Sequence, residues 1–189
     1  MASVKLHEKI KYYTAKLEQF ADRAWYPPFI GLLAALDNLI VVIPNDGILI
    51  ASSIMVPRRW LIFAICITLG STLGAFTLAS LVEHQGLKFV QEFFPGIDQS
   101  EIWIKSDEYF NKYGLLVVFL VAASPLAQQP IVILAALAST PMIEITSVIF
   151  IGRLIKFLVM AYLGSHSPKY LKKIWGIKDE LKDAGVKID

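Results

Sequence analysis

The chain has 189 residues, a formal net charge of +2 and a single cysteine, and 56% of its residues are hydrophobic, for a mean hydropathy of +0.57. That value is high for a water-soluble domain, and the apolar residues fall in blocks, so the composition predicts one all-α integral membrane domain. Cys66, alone in an apolar run, excludes a disulfide framework or a cysteine-based metal site, and residues 1–23 lack the continuous apolar stretch of a secretory signal.

Leu6, Ile10, Tyr13, Leu17, Phe20 and Ala24 recur at steps of three and four, with Lys5, Lys9, Lys11, Lys16 and Arg23 elsewhere on the same helix. Residues 1–26 therefore read as an amphipathic helix lying along a bilayer surface, or as a solvated helix packed on a partner. Trp25 and Tyr26 fit an interfacial anchor, and Pro27-Pro28 breaks this helix before the membrane domain, 27–165.

Phe29–Ile43 is apolar apart from Asp37 and Asn38, and Pro44-Asn45-Asp46-Gly47 separates it from a second short run, Ile48–Val56. Neither run holds the roughly 20 residues that a hydrocarbon core of about 30 Å requires. Residues 28–57 are thus expected to form a re-entrant helical hairpin. A full-length spanning helix, 60–82, follows; its Gly70-x-x-x-Gly74 allows close helix packing. Residues 83–113 form a polar connection with six acids against three lysines, and the Pro95-Gly96 turn predicts two short surface helices.

The second half repeats this plan. Leu115–Ala123 and Ile131–Ala138 are nine and eight residues long, and Ser124-Pro125-Leu126-Ala127-Gln128-Gln129-Pro130 interrupts them. A second hairpin over 114–140 and a spanning helix over 142–164 follow from that pattern. Pro57 lies eleven residues after Asp46, and Pro141 lies eleven after Pro130. Broken apolar segments at matching positions in two halves point to a binding site where the halves meet. Residues 166–189 form a tail with six lysines and an apolar stripe, which reads as a second interfacial helix. Outside the apolar blocks the basic residues lie in the two ends and at Arg58-Arg59, with only three in the connection, so both termini are expected in the cytoplasm and the two hairpins enter from opposite sides, as an inverted pair.

Asp37, Asp46, Arg153 and Lys156 are the ionisable residues within the apolar blocks. A charge at the bilayer centre costs on the order of 3 kcal/mol or more, so each is expected to face protein or water. Asp46 reads either as an acid at a helix N-terminus, capped by Asn45, or as a site carboxylate and the partner of Arg153. Asp37 is either an interfacial residue or a site residue. Arg153 sits too deep to snorkel freely and reads as a site residue or as a structural ion-pair partner of Asp46 or Asp37; Lys156 is either a snorkelling anchor or a site residue. Gln128 and Gln129 can donate and accept at the hairpin tip. Ser124-Pro125 has the form of a helix cap followed by proline at the first helical position, and two half-helix N-termini pointing inward suit a phosphate. His7, His84 and His166 all lie outside the apolar core, no hydrolase, P-loop or metal pattern is present, and the lysines have the distribution of a membrane surface. The residues thus give no support to an enzyme, to nucleic-acid binding or to a cofactor. The oligomeric state is left open.

The hairpin-plus-helix halves resemble the DedA family, also called the VTT or SNARE-associated membrane proteins, over roughly residues 28–165. Ile43-Pro44-Asn45-Asp46 is similar to that family's acidic, proline-containing break, Gly70-Ser71-Thr72-Leu73-Gly74 to its small-residue helix, and Tyr113-Gly114 with Pro125 and Ala135–Ser139 to its second hairpin. Bacterial members carry arginines beside the second-hairpin proline and often a second acid after the small-residue motif; here Ser124–Gln129 has no arginine and Ala75 stands at the acidic position. Within that family the chain most resembles the short, divergent YqaA-like branch. The resemblance implies an inner-membrane transporter or scramblase for phospholipid or polyprenyl phosphate. Two other readings stand beside it: proton-coupled transport of a small solute through Asp46 or Asp37, and a scaffold for membrane assembly.

Overall fold

A computed structural model describes residues 20–40, 44–93, 96, 99, 101–126 and 128–166. The expected surface helices at the N-terminus and in the tail fall almost wholly outside these residues. Among the described residues these helices follow in order: α1 (Tyr26–Ile40), α2 (Asn45–Met55), α3 (Trp60–Phe93), α4 (Glu101–Tyr113), α5 (Leu115–Ala123), α6 (Gln129–Leu137) and α7 (Met142–His166), with a 3-10 turn at Pro57–Arg59 between α2 and α3. Pro27-Pro28 stand in the first turn of α1, where a missing N–H costs nothing; the prolines open this helix rather than only closing the preceding one.

Pro57–Gly86 is 30 residues long and contains an 18-residue stretch of mean hydropathy 2.0, which suffices by length and composition to cross a membrane. It ends where Gly86 leaves helical geometry at φ 66°, a left-handed conformation that glycine adopts freely. Helix then resumes to Phe93, so the connection 83–113 is mostly helical, with α4 as its second piece. α2, α5 and α6 hold 11, 9 and 9 residues, or about 14–17 Å of helix each, half of what a bilayer core demands.

The packing is reciprocal. α1 lies along α3, and α5 lies along α7. The second helix of each broken pair crosses to the other side, α2 onto α7 and α6 onto α3, while α3 and α7 pack against one another. Two apolar cores result. One gathers Ile30, Leu49, Ile50, Phe63, Ile67, Phe157 and Met160; the other gathers Leu78, Val82, Val118, Ile131, Ile133, Ile145 and Ile149. Between them lie Thr68, Ser71 and Thr72 of α3 and Arg153 and Lys156 of α7, all buried. The outer faces are apolar instead: Ile62, Ile65, Leu69, Leu73 and Phe76 run down α3 at steps of three and four, and Ile151, Ile155 and Val159 down α7. A buried layer of polar and charged groups under continuous apolar outer faces departs from the plan of a water-soluble bundle and suits hydrocarbon as the outer solvent.

Glycine lets α1 and α3 approach closely, as the Gly70-x-x-x-Gly74 spacing predicts. A Cβ at Gly70 would overlap the Gly31 carbonyl, one at Gly74 would overlap the Ala35 carbonyl, and one at Gly31 would stand 2.6 Å from the Cys66 carbonyl oxygen. These are backbone atoms and cannot step aside. Gly70→Val is expected to destabilise the fold by about 1–3 kcal/mol through forced separation of α1 from α3. Gly47→Ala, where a Cβ meets nothing closer than Pro44 at 4.0 Å, is the neutral control. Thermal unfolding in detergent, followed by the loss of a monodisperse elution peak, measures both.

Candidate functional site

The two broken helix pairs bring their polar ends together. On the α1–α2 side these are Asp37 and Asn38 at the end of α1 and Asn45 and Asp46 at the start of α2; on the α5–α6 side they are Gln128 and Gln129. Gln128 Nε2 donates to Asn38 Oδ1 at 2.6 Å, and Gln129 Nε2 donates to the Asp37 carbonyl at 3.4 Å. Asn38 Nδ2 in turn reaches the Ala34 carbonyl at 3.0 Å and the Ser71 carbonyl at 3.2 Å, which ties α1 to α3. Asn45 Nδ2 donates to Asp37 Oδ2 at 2.8 Å, closing α2 against α1.

α7 supplies the cations. Arg153 Nε donates to Gln128 Oε1 at 2.8 Å, and Lys156 Nζ pairs with Asp46 Oδ2 at 2.8 Å. Their spacing of three residues puts both on one helix face. Both lie over the ring of Phe157, fully buried, with the Arg153 guanidinium 5.5 Å and the Lys156 ammonium 5.3 Å from its centroid. Both carboxylates, Asp46 and Asp37, also attract Arg153. Arg153 and Lys156 are 8% and 7% exposed, and charges this deep are retained only where polar partners replace water. Close approach of α7 to its neighbours makes the layer tight: a Cβ at Gly152 would stand 3.0 Å from Ala122 on α5, and one at Gly164 would stand 3.2 Å from Ser53 on α2.

Several sequence expectations change in detail. The direct ion-pair partner of Asp46 is Lys156, where the sequence favoured Arg153; the intervening turn of α7 places the ammonium opposite the start of α2 and the guanidinium opposite Gln128. Lys156 does not snorkel, because its ammonium is held inside by that carboxylate. Asn45 is not the cap of α2. Pro44 occupies that position without a side-chain cap bond, and the Asn45 amide is spent on Asp37.

Ser124 is not the N-cap of the second half-helix either. It closes α5, donating from Oγ to the Val121 carbonyl at 2.9 Å and accepting from the Leu126 amide at 3.2 Å. α6 starts later, at Gln129, with Gln128 as its cap residue and Pro130 in its first turn. Two prolines competed for that role, and the one whose helix can pack on α3 took it. Asn38 and Ser71 join the site without having been singled out. The signal for Asn38 was available: an amide in an apolar run, beside Asp37.

The family model described as the VTT domain matches residues 43–166. An uncharacterised protein of Haemophilus influenzae is 22% identical over 137 residues, 72% of this chain and 71% of its own. A Histophilus somni protein, a homolog of the uncharacterised protein HI0703, is 23% identical over 154 residues, 82% of this chain and 80% of its own. No solved structure matches.

Breaking one partner out of a buried ion pair leaves the other charge unmatched. Lys156→Met is therefore expected to lower stability by about 3 kcal/mol, at the low end for a buried pair because the Asp46 side chain is 23% exposed. Adding Asp46→Asn should restore part of that loss. A double-mutant cycle in detergent denaturation reads the coupling; additive losses would show that the pair carries no interaction energy.

Proposed function

The chain belongs to the VTT-domain (DedA) family of membrane proteins, and from that premise we propose that it moves an anionic or zwitterionic lipid, phospholipid or polyprenyl phosphate, between the leaflets of the bacterial inner membrane. One observation carries the reading: Arg153 and Lys156 are buried between two apolar cores, at the point where two broken helix pairs meet tip to tip. A phosphate is the natural counter-ion for such a place. The start of α2 at Asn45 and the start of α6 at Gln129 add backbone N–H groups directed at the same region. Asp46 competes with the phosphate for Lys156, and Gln128 competes for Arg153, so the hold stays transient. The lipid tails remain outside, along the apolar faces of α3 and α7. The lack of an arginine beside Pro125 and the presence of Ala75 after the small-residue motif support placement in the YqaA-like branch.

The reciprocal packing of α2 on α7 and of α6 on α3 supports an inverted repeat, with α1–α2 entering the membrane from the cytoplasm and α5–α6 from outside. Arg58 and Arg59, both paired with Asp22, and the Trp25, Tyr26, Trp60 and Tyr162 rings gather at one end of the bundle, as at a cytoplasmic interface. With Cys66 replaced by serine, single cysteines at Gln99 and at Lys178 are expected to react with an impermeant thiol reagent from opposite sides of the membrane. Labelling of both from one side would rule this arrangement out.

Liposomes holding the purified protein are expected to equilibrate a labelled phospholipid or polyprenyl phosphate between leaflets faster than empty liposomes do. Arg153→Gln should slow this at least about tenfold, the effect of losing roughly 1.4 kcal/mol of charge-assisted hydrogen bonding at the crossing point, and Asp46→Asn should slow it by leaving the phosphate held too tightly at Lys156. Both variants should keep the elution profile of the parent. The pairing of Asp46 with Lys156 favours a second reading, proton-coupled solute transport, in which Asp46 takes up the proton as Lys156 leaves it. Solute flux that follows an imposed proton gradient, with no lipid movement, would establish that reading instead. A well-inserted protein that moves neither would point to a scaffold.

A further inference from the structure

A groove of about 360 Å³ opens between α3 and α7, lined by Thr72, Thr146, Ser147, Phe150 and Ile151. It begins at the polar layer, one residue from Ser71, and runs towards the core that holds Ile145 and Ile149. Ser147 and Ile151 are exposed, so the groove faces outward, between the apolar outer stripes of the two helices.

Its hydroxyls behave unlike the others on the same helix. A threonine in an apolar helix ordinarily donates to the carbonyl four residues back. Thr68 does so to Ala64 at 2.7 Å, and Thr77 does so to Leu73 at 2.8 Å. Thr72 lies between them, is 8% exposed, and its Oγ1 has no hydrogen-bond partner among the described residues; Thr146 Oγ1 across the groove has none either. Both residues line one groove from two helices, their hydroxyls have given up the local bond and lie buried behind its wall, and a turn about χ1 presents either one to an acceptor that arrives from outside. No charged side chain lines the groove, so the acceptor is neutral. Phe150 and Ile151 make part of its wall apolar.

We propose that this groove is a subsite for the ester-linkage region of a diacyl glycerolipid, with Thr72 and Thr146 donating to the ester carbonyl oxygens. The inference rests on the lipid-translocation reading and narrows it. A glycerolipid carries two neutral carbonyls just below its headgroup, at the boundary between polar and apolar parts, which is the chemistry of this groove. A polyprenyl phosphate has no carbonyl to offer. With the ester region seated here, the headgroup lies beside Ser71, whose backbone carbonyl and Oγ accept from Asn38, the residue that joins Gln128 and Arg153.

The test compares head-group-labelled dioleoyl phosphatidylethanolamine with its dialkyl ether analogue, which keeps head group and chain length and lacks only the carbonyl oxygens. In liposomes the wild-type protein is expected to move the ester lipid about fivefold faster than the ether lipid, the effect of one ordinary hydrogen bond. The double variant Thr72→Val, Thr146→Val should slow the ester lipid to the ether rate and leave the ether rate unchanged. Thr72→Ser, which keeps a hydroxyl, should retain the preference. Thr146→Val alone, at the half-buried position, serves should the double variant fail to insert.

Equal rates for both lipids, unaffected by the variants, would overturn the subsite while leaving lipid movement standing. If neither lipid moves, the translocation reading fails, and the groove is judged by retention of the two lipids on the detergent-purified protein in native mass spectrometry. Preferential retention of the ester form, lost in the double variant, supports the subsite; equal retention overturns it. A change of oligomeric state in the valine variants by light scattering, with no ester preference in the wild type, would assign the groove to a second copy of the chain and overturn the proposal.

Discussion

The side-chain amide of Gln128 is the joint of the molecule. Its nitrogen donates to Asn38 at the tip of one broken helix pair, and its oxygen accepts from Arg153 on α7. Through Asn38 the same chain of bonds reaches Ser71 on α3. One amide therefore connects both broken helix pairs and both long helices. A primary amide can do this because it presents a donor and an acceptor in one plane, which neither a carboxylate nor an ammonium can. In a medium without water, each of these groups would otherwise be left with an unmade bond at a cost of several kcal/mol.

The joint also explains the division into two apolar cores. α3 and α7 each carry large buried side chains towards both ends and small or polar ones between: Phe63 and Ile67, then Thr68, Ser71 and Thr72, then Leu78 and Val82 on α3. On α7 the order is Ile145 and Ile149, then Arg153 and Lys156, then Met160. The opposite order of the two cores along the two helices means that they run antiparallel and that their polar segments meet at one level. Helices cannot be drawn together in hydrocarbon by the hydrophobic effect, so close packing at Gly31, Gly70, Gly74 and Gly152 and the hydrogen bonds of this level carry the association.

α7 holds each broken pair by one cation. Lys156 holds α2 through Asp46, and Arg153 holds the start of α6 through Gln128. Both cations also lie over the Phe157 ring, within cation–π distance of its centroid. The two contacts differ in kind: Lys156 meets a carboxylate directly, whereas the direct acceptor of Arg153 is a neutral amide, which binds a guanidinium less strongly than an ionised acceptor does.

Much of this was written in the sequence. The lengths of the apolar runs determined that α2, α5 and α6 would be half-helices, because nine to eleven residues cannot reach across a bilayer core. Charges inside apolar blocks marked Asp37, Asp46, Arg153 and Lys156, and glycine spacing marked the α1–α3 contact. What the sequence left undecided was pairing. Arg153 and Lys156 lie three residues apart on α7, and which of them meets Asp46 depends on how α7 is rotated against α2, a matter of packing among Phe157, Met160 and Ile50. Likewise Pro125 and Pro130 can each open a helix; only the seating of Ile131 and Ile133 against α3 fixes α6 to begin at Gln129 and leaves Ser124 to close α5. Local chemistry names the residues that must find partners, and the long-range fit of apolar side chains decides which partners they find.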